Sequence, residues 1–378
     1  MKKICFIVSS PTSINSFFKT NFEEISQIMD IYVVANFGDK SIFKDLNIAD
    51  AFPVGIERRP SIAKDIKSLW MLYCYFKKMK FDAFVSMSSK ASLLSSTAGF
   101  FARIPVRIRI FTGQIWANKT GVGRAFYKGI DKYTVTLNTH SLVDGKPQMQ
   151  YLEENGILKQ GSGKVLANGS ICGVDVEKFK PSSNIREAER KKFGIKDDEI
   201  VFSFMGRLRK EKGILELFEA FNDLLAVHDR IKLVLIGNSE DVTEDSLKTY
   251  SRLRIGDNVI LYGYTSKPFE ALQIADVFCL PSYREGFGMS AIEAAALELP
   301  VICSDAYGLR DSFINGETGL ECKVKDAISL KNCMQRFIEN KELLKQYGTA
   351  GRKRIIEKFR KEIVAGAWKH YLDQLINK

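Results

Sequence analysis

Short apolar runs rich in β-branched and aromatic residues recur along the chain: KICFIVS (3–9), IYVVA (31–35), DAFVSM (82–87), VRIRIF (106–111), YTVTLN (133–138) and KVLANGS (164–170). After a polar stretch near 180–199 the series resumes with IVFSFMG (200–206), IKLVLIG (231–237), NVILYG (258–263), DVFCLPS (276–282) and PVICS (300–304). Longer helix-like segments lie between them. Runs apolar on both faces that alternate with helices predict parallel strands, and two such series predict two Rossmann-like α/β domains. The join is expected near Lys180–Ser183, followed by a charged helix over Asn184–Phe193. The division is then 1–180, 181–360 and a last amphipathic segment, 361–378, carrying Trp368, Tyr371 and Leu375. Ligands of such sheets bind beyond the carboxyl ends of strands, so residues just after the strands are the candidates for chemistry.

A chain of 378 residues exceeds the size at which one core keeps growing, which agrees with two domains. Its seven cysteines are scattered and show no C-x-x-C pair, which argues against a disulfide framework or a zinc site and for a reducing compartment, the cytosol. The start, MKKICFIVSS, has too short an apolar run for a signal peptide and reads as a first buried strand. No stretch reaches the ~20 apolar residues of a membrane span. The net charge of +11 is uneven: residues 1–178 carry 24 Lys+Arg against 15 Asp+Glu, or +9, and residues 179–378 carry 32 against 30, or +2. A basic half suits nucleic acid, anionic lipid or a phosphorylated substrate.

Two segments narrow that choice. After IVFSFMG come Arg207-Leu208-Arg209-Lys210-Glu211-Lys212-Gly213 and an amphipathic helix, ILELFEAFNDLLAVH. This order sets two cations, Arg207 and Lys212, beside the N–H groups of a helix start, which can hold a diphosphate without metal. The second segment is DVFCLPSYREGFGMSAIEAAALELPVICS (276–304). Glu285 lies in the loop Glu285-Gly286-Phe287-Gly288, and a helix is expected from about Met289 and Ser290, with Glu293 in its first turns. The eight-residue separation of the two glutamates, about 12 Å if wholly helical, suits carboxylates on separate hydroxyls of one long ligand, Glu285 at a sugar ring and Glu293 at a ribose. Gly286 and Gly288 let backbone N–H groups approach phosphate oxygens. No D-x-D occurs, so no metal site is expected.

The pair G-R-L-x3-K-G and E-x7-E, with P-S-x2-E-G-F-G and the following E-x-P-V-I-x-S, resembles the retaining glycosyltransferases of family 4. Tyr262-Gly263-Tyr264, Gly319-Leu320 and the NGSICGVDVEKF stretch (168–179) fit the same pattern. The resemblance implies the GT-B fold, two Rossmann-like domains with parallel sheets facing across a cleft, and a last helix that packs back on the N-terminal domain. It implies a nucleotide-diphosphate sugar as donor, UDP- or GDP-linked, with no cofactor. Arg207 and Lys212 would neutralise the leaving diphosphate, and Glu285 would bind sugar hydroxyls. Gly206, Tyr264, Gly286, Phe287, Gly288, Met289, Ser290 and Glu293 would line the donor. On the acceptor side it points to Ser10 and Asn15, in a loop Ser9–Asn15 that lacks the family's paired glycines, to Thr112, Gly113 and Gln114, and to Asn168. Thr112 stands where many members carry a histidine, so no proton-handling histidine carries over.

The expected activity is transfer, with retention, to an acceptor hydroxyl on a polyprenyl-diphosphate-linked saccharide in surface polysaccharide synthesis. The helix-like SIAKDIKSLWMLYCYFKKMK (61–80) fits either packing on the N-terminal sheet with one lysine-rich wet face or an anionic membrane surface; with the basic stretch Arg103–Arg109 the second would make the protein cytoplasmic and peripheral to the inner face of the plasma membrane. The alternatives are a nucleotide-sugar epimerase of the same two-domain plan and a basic nucleic-acid-binding protein; the second lacks any binding module.

Overall fold

The computed structural model describes residues 1–57 and 61–377; Lys378, the end of the expected last segment, lies outside the described residues. The chain divides into two compact units, Met1–Gly173 with Lys361–Lys378, and Val174–Arg360. The two parallel α/β sheets are those the alternation predicts.

In the first unit the described residues form a seven-stranded parallel sheet from β1 (Lys2–Ile7), β2 (Met29–Ala35), β3 (Asp50–Pro53), β4 (Ala83–Met87), β5 (Val106–Phe111), β6 (His140–Val143) and β7 (Gly163–Lys164). Its order is β3-β2-β1-β4-β5-β6-β7. The helices are α1 (Pro11–Phe17), α2 (Lys19–Ile25), α3 (Ile62–Met79), α4 (Ser89–Ala102), α5 (Gly121–Leu137) and α6 (Lys146–Glu154). β4 is buried at all five residues, as a central parallel strand covered by helices on both faces requires.

The second unit holds α7 (Ser183–Lys192), β8 (Ile200–Met205), α8 (Ile214–Leu224), β9 (Ile231–Ile236), α9 (Glu244–Leu247), β10 (Val259–Gly263), α10 (Pro268–Ala271), β11 (Val277–Leu280), α11 (Met289–Ala296), β12 (Val301–Ser304), β13 (Gly319–Cys322), α12 (Ala327–Glu339) and α13 (Glu342–Lys358). Its six-stranded parallel sheet runs β10-β9-β8-β11-β12-β13. A final helix, α14 (Lys361–Ile376), returns to the first unit. There Trp368 is 1% exposed, its indole N–H donates to the Ile171 carbonyl at 2.9 Å, and its ring lies 6.1 Å from that of Phe18. Among the described residues no helix is long and apolar enough to cross a membrane.

Four expectations about local structure change. YTVTLN is not a strand: residues 133–137 complete α5, where Asp131, Thr134 and Leu137 are buried at helical spacing, and the strand beside β5 is HSLV. KVLANGS contributes only Lys164 to a strand, because Ala167 and Ser170 adopt left-handed backbone (φ 48° and 70°) that a strand cannot hold. Ser9–Asn15 is not a loop throughout, since α1 begins at Pro11, a residue preset for a first helical turn. The second unit begins at Val174, ahead of 181: the Val174 N–H donates to the Phe359 carbonyl at 2.7 Å, and Val174, Val176 and Phe179 enter its core.

Candidate functional site

In both sheets the strand order reverses beside the first strand of the unit, and such a reversal opens a crevice at the strands' carboxyl ends. In the second unit it falls between β8 and β11, whose following loops are 206–213 and 281–288. Two glycines let these loops close on each other. A Cβ on Gly213 (φ +73°) would lie 2.1 Å from the Pro281 carbonyl oxygen, and one on Gly308, in the turn after β12, 2.1 Å from that of Glu285. Gly308 was not legible in the sequence, because its close neighbour is 23 positions back along the chain.

Lys212 and Glu285 meet there. The Lys212 ammonium pairs with Glu285 Oε1, both side chains less than a fifth exposed, and the Ser282 hydroxyl donates to the same oxygen at 2.8 Å. No side chain caps α8 or α11, so backbone N–H groups at both helix starts point out of the helices beside this pair. Behind it, Glu211 binds Arg284 at 3.0 Å and Arg209 at 3.2 Å. Burial alone would raise the Glu211 carboxyl, but Arg284, Arg209 and Lys212 outweigh it and hold the group below its ordinary pKa. The result is a fixed, mutually neutralised charge cluster into which a diphosphate could enter by exchanging for carboxylates.

The other donor candidates sit differently. Arg207 does not join Lys212: it is 45% exposed, and its Nη1 pairs with Glu240 Oε1 at 3.1 Å, a carboxylate that Arg209 Nε shares at 3.3 Å. Glu240 lies in the loop after β9, and it is the anion within reach of both guanidinium groups. Phe287 is 3% exposed and packs on Phe359 at 5.4 Å, so it leaves only its backbone for a ligand. Gly288 caps α11, whose first residues are Met289 and Ser290; Gly206, Gly286 and Ser290 are half-buried, and Tyr264 is exposed just beyond β10. Glu293 projects from α11 with no ion-pair or hydrogen-bond partner among the described residues, and burial pushes its pKa up to about 7. Only the second half of the interval from Glu285 to Glu293 is helical.

In the first unit the reversal falls between β1 and β4, and there Ser9 and Ser88 share a hydrogen bond of 2.9 Å. Ser10 bonds Thr12 at 2.7 Å, and the Asn15 amide donates to the Ile42 carbonyl at 3.1 Å. Beyond β5 the Thr112 carbonyl accepts from Gln148 Nε2 at 2.7 Å and from the buried Gln114, with Gly113 between. Asn168 is exposed, in the turn that follows β7. Two features here were not read from the sequence. Arg109 is 3% exposed and pairs with Asp131 at 2.5 Å, whose other oxygen accepts the Trp116 indole N–H at 2.7 Å. This removes Arg109 from any membrane-facing basic stretch, and Arg107 too spends its donors on the Leu137 and Ile104 carbonyls. The signal was an aspartate on the buried stripe of a helix. Asp144, beyond β6, is 5% exposed with Oδ1 unpartnered, and burial pushes its pKa to about 8.

Residues 185–354 match the family model of the glycosyl transferases group 1. The capsular polysaccharide biosynthesis glycosyltransferase CapM of Staphylococcus aureus is 30% identical over 338 residues, 89% of this chain and 87% of that protein. The UDP-Gal:alpha-D-GlcNAc-diphosphoundecaprenol alpha-1,3-galactosyltransferase of Escherichia coli is 26% identical over 310 residues, 81% and 79% of the two chains. Among solved structures, the sucrose-phosphate synthase of Thermosynechococcus elongatus has a TM-score of 0.81 at 20% identity, covering 100% of each chain. Anabaena HepE in complex with UDP-glucose has a TM-score of 0.79 at 16% identity, covering 99% and 100%. At these identities the two structures establish a shared fold, that of GT-B glycosyltransferases.

Proposed function

Because the chain belongs to the group 1 glycosyl transferases, we propose that it is a retaining, metal-independent member of family 4. It moves a sugar from a UDP- or GDP-linked donor to a polyprenyl-diphosphate-linked saccharide in surface polysaccharide synthesis. The observation that carries the donor half is the Lys212–Glu285–Ser282 cluster, set between two uncapped helix starts at the reversal of the second sheet. As the bond between anomeric carbon and phosphate breaks, negative charge grows on the departing oxygen, and a cation and N–H donors already in place lower that barrier. Lys212 serves this charge, with Arg207 joining after it exchanges Glu240 for phosphate. Glu285, once Lys212 turns to the diphosphate, accepts hydrogen bonds from sugar hydroxyls, and Glu293 does so from the ribose. No protein nucleophile is assigned: the leaving phosphate takes the acceptor's proton as the new bond forms on the same face.

The capsular and diphosphoundecaprenol-linked relatives support the acceptor class. The match to transferases along most of the chain leaves the epimerase alternative without support. The basic first unit suits work at the inner face of the plasma membrane, with the protein peripheral and cytoplasmic. The test is release of nucleoside diphosphate from a panel of UDP- and GDP-sugars, with and without a polyprenyl-diphosphate saccharide. Release only with acceptor, and an α-configured product from an α-configured donor, is expected. Release independent of acceptor would remove the acceptor assignment, and a β product the retention.

A further inference from the structure

The outer face of the first unit is apolar and cationic together. Ile62 (81% exposed), Ile66 and Trp70 on α3, Phe101 on α4 and Phe126 on α5 all project into solvent. Residues 61–137 carry 13 Lys+Arg against 3 Asp+Glu; with Arg107 and Arg109 spent inside the fold, 11 cations remain, and each acid is engaged: Asp65 by Lys90 at 2.6 Å, Asp82 by the Lys3 N–H at 2.7 Å and Asp131 by Arg109. Two cavities flank α4, the second of them in its seam with α3. One, of about 260 Å³ at the carboxyl end of β4, opens between α4 and α5 and is lined by Ser89, Lys90, Leu93, Trp116, Phe126 and Asp131, with Asp65 its one residue from α3. The other, of about 480 Å³, lies one turn further along α4 and is lined by Ile66, Trp70, Tyr73, Thr97 and Phe101. From Leu93 to Phe101 α4 extends about 12 Å, largely apolar along this face, and at its sheet end Lys90 is paired with Asp65.

We propose that the seam between α3 and α4 holds the hydrocarbon chain of the acceptor lipid, the first isoprene units lying along Leu93, Thr97 and Phe101 and the diphosphate reaching Lys90 by exchanging for Asp65. The assignment rests on the lipid-linked acceptor reading above. A long-chain anion accounts for both properties of the face, since the apolar floor buries the chain and the surrounding cations favour its phosphates and the anionic headgroups next to it.

The test uses geranylgeranyl diphosphate with the intact protein, and needs no sugar transfer. Trp70 lines the seam and is 65% exposed, whereas Trp368 is buried and Trp116, also buried, borders the other cavity, so the difference in emission between wild type and Trp70→Phe isolates the Trp70 response. A saturable shift to shorter wavelength is expected with geranylgeranyl diphosphate and none with inorganic pyrophosphate. Thr97→Asp should weaken the response at least tenfold. Phe101→Glu, at an exposed rim position, gives the same test should Thr97→Asp fold poorly. No shift in wild type, or a shift that neither substitution weakens, overturns the assignment. A dimer in light scattering that Phe101→Glu converts to monomer also overturns it, giving the seam to a second copy of the chain. Failure here leaves the donor chemistry standing, and loss of transfer in a Lys212 variant leaves the seam standing.

Discussion

The two units use buried charge in opposite ways. In the first, Arg109 and Asp131 are both nearly inaccessible, and the Trp116 indole N–H donates to the carboxylate's other oxygen. In the second, Lys212 and Glu285 keep 19% and 16% of their side chains exposed, in a turn made by glycines and next to helix starts that no side chain caps. A closed pair holds a fold together. An open pair is held ready to exchange partners.

The sharpest way to break the comparison is Asp131→Asn, which strands a buried guanidinium and should cost about 3–5 kcal/mol of stability, read as a large drop in Tm. An unchanged Tm would end the structural reading of that pair. Next comes Lys212→Ala, expected to slow transfer by on the order of 10²–10³ while moving Tm far less. Arg207→Ala, more exposed and already shared with Glu240, should cost about tenfold, a loss smaller than that of a fully preorganised donor. If it matched Lys212→Ala, Arg207 would be as preorganised for the diphosphate as Lys212.

A smaller effect concerns pH. The Glu293 pKa stands at about 7 against an ordinary 4.5, so the folded chain binds this proton more tightly than the unfolded one. Its contribution to stability is therefore lost as pH rises from about 4.5 to about 7. Glu293→Gln should remove that slope, raise stability above pH 7 by ~1–2 kcal/mol once screening is allowed for, and weaken donor binding. Thermal melts across pH with and without donor separate the two effects. Least of all, Glu240→Gln should release Arg207 and lower the donor KM about twofold, roughly the ~0.4 kcal/mol typical of an exposed ion pair.

How much could be read in the chain follows from the range of each interaction. Lys212 and Glu285 stand at fixed offsets from strand ends, so strand pattern and motif together located them. The engagement of Arg207 by Glu240 spans 33 positions and two loops, and nothing local announces it. YTVTLN misled because threonine and valine suit strands by composition, while here Thr134 returns its hydroxyl to the Ile130 carbonyl one helical turn back. Phe287 stands in the loop motif between Gly286 and Gly288, and its contact with Phe359, 72 positions on, which nothing local announces, gives its side chain to the core.

The return of α14 has a consequence for how the protein is made. Val364, Trp368, Tyr371 and Leu372 complete a core otherwise built from the first 171 residues. On the ribosome, the amino-terminal sheet must therefore wait, with Phe6, Phe18 and Phe22 uncovered, while the whole middle of the polypeptide is synthesised and becomes able to fold. Nascent chains stalled before residue 361 are the stage at which chaperone capture and aggregation should be greatest.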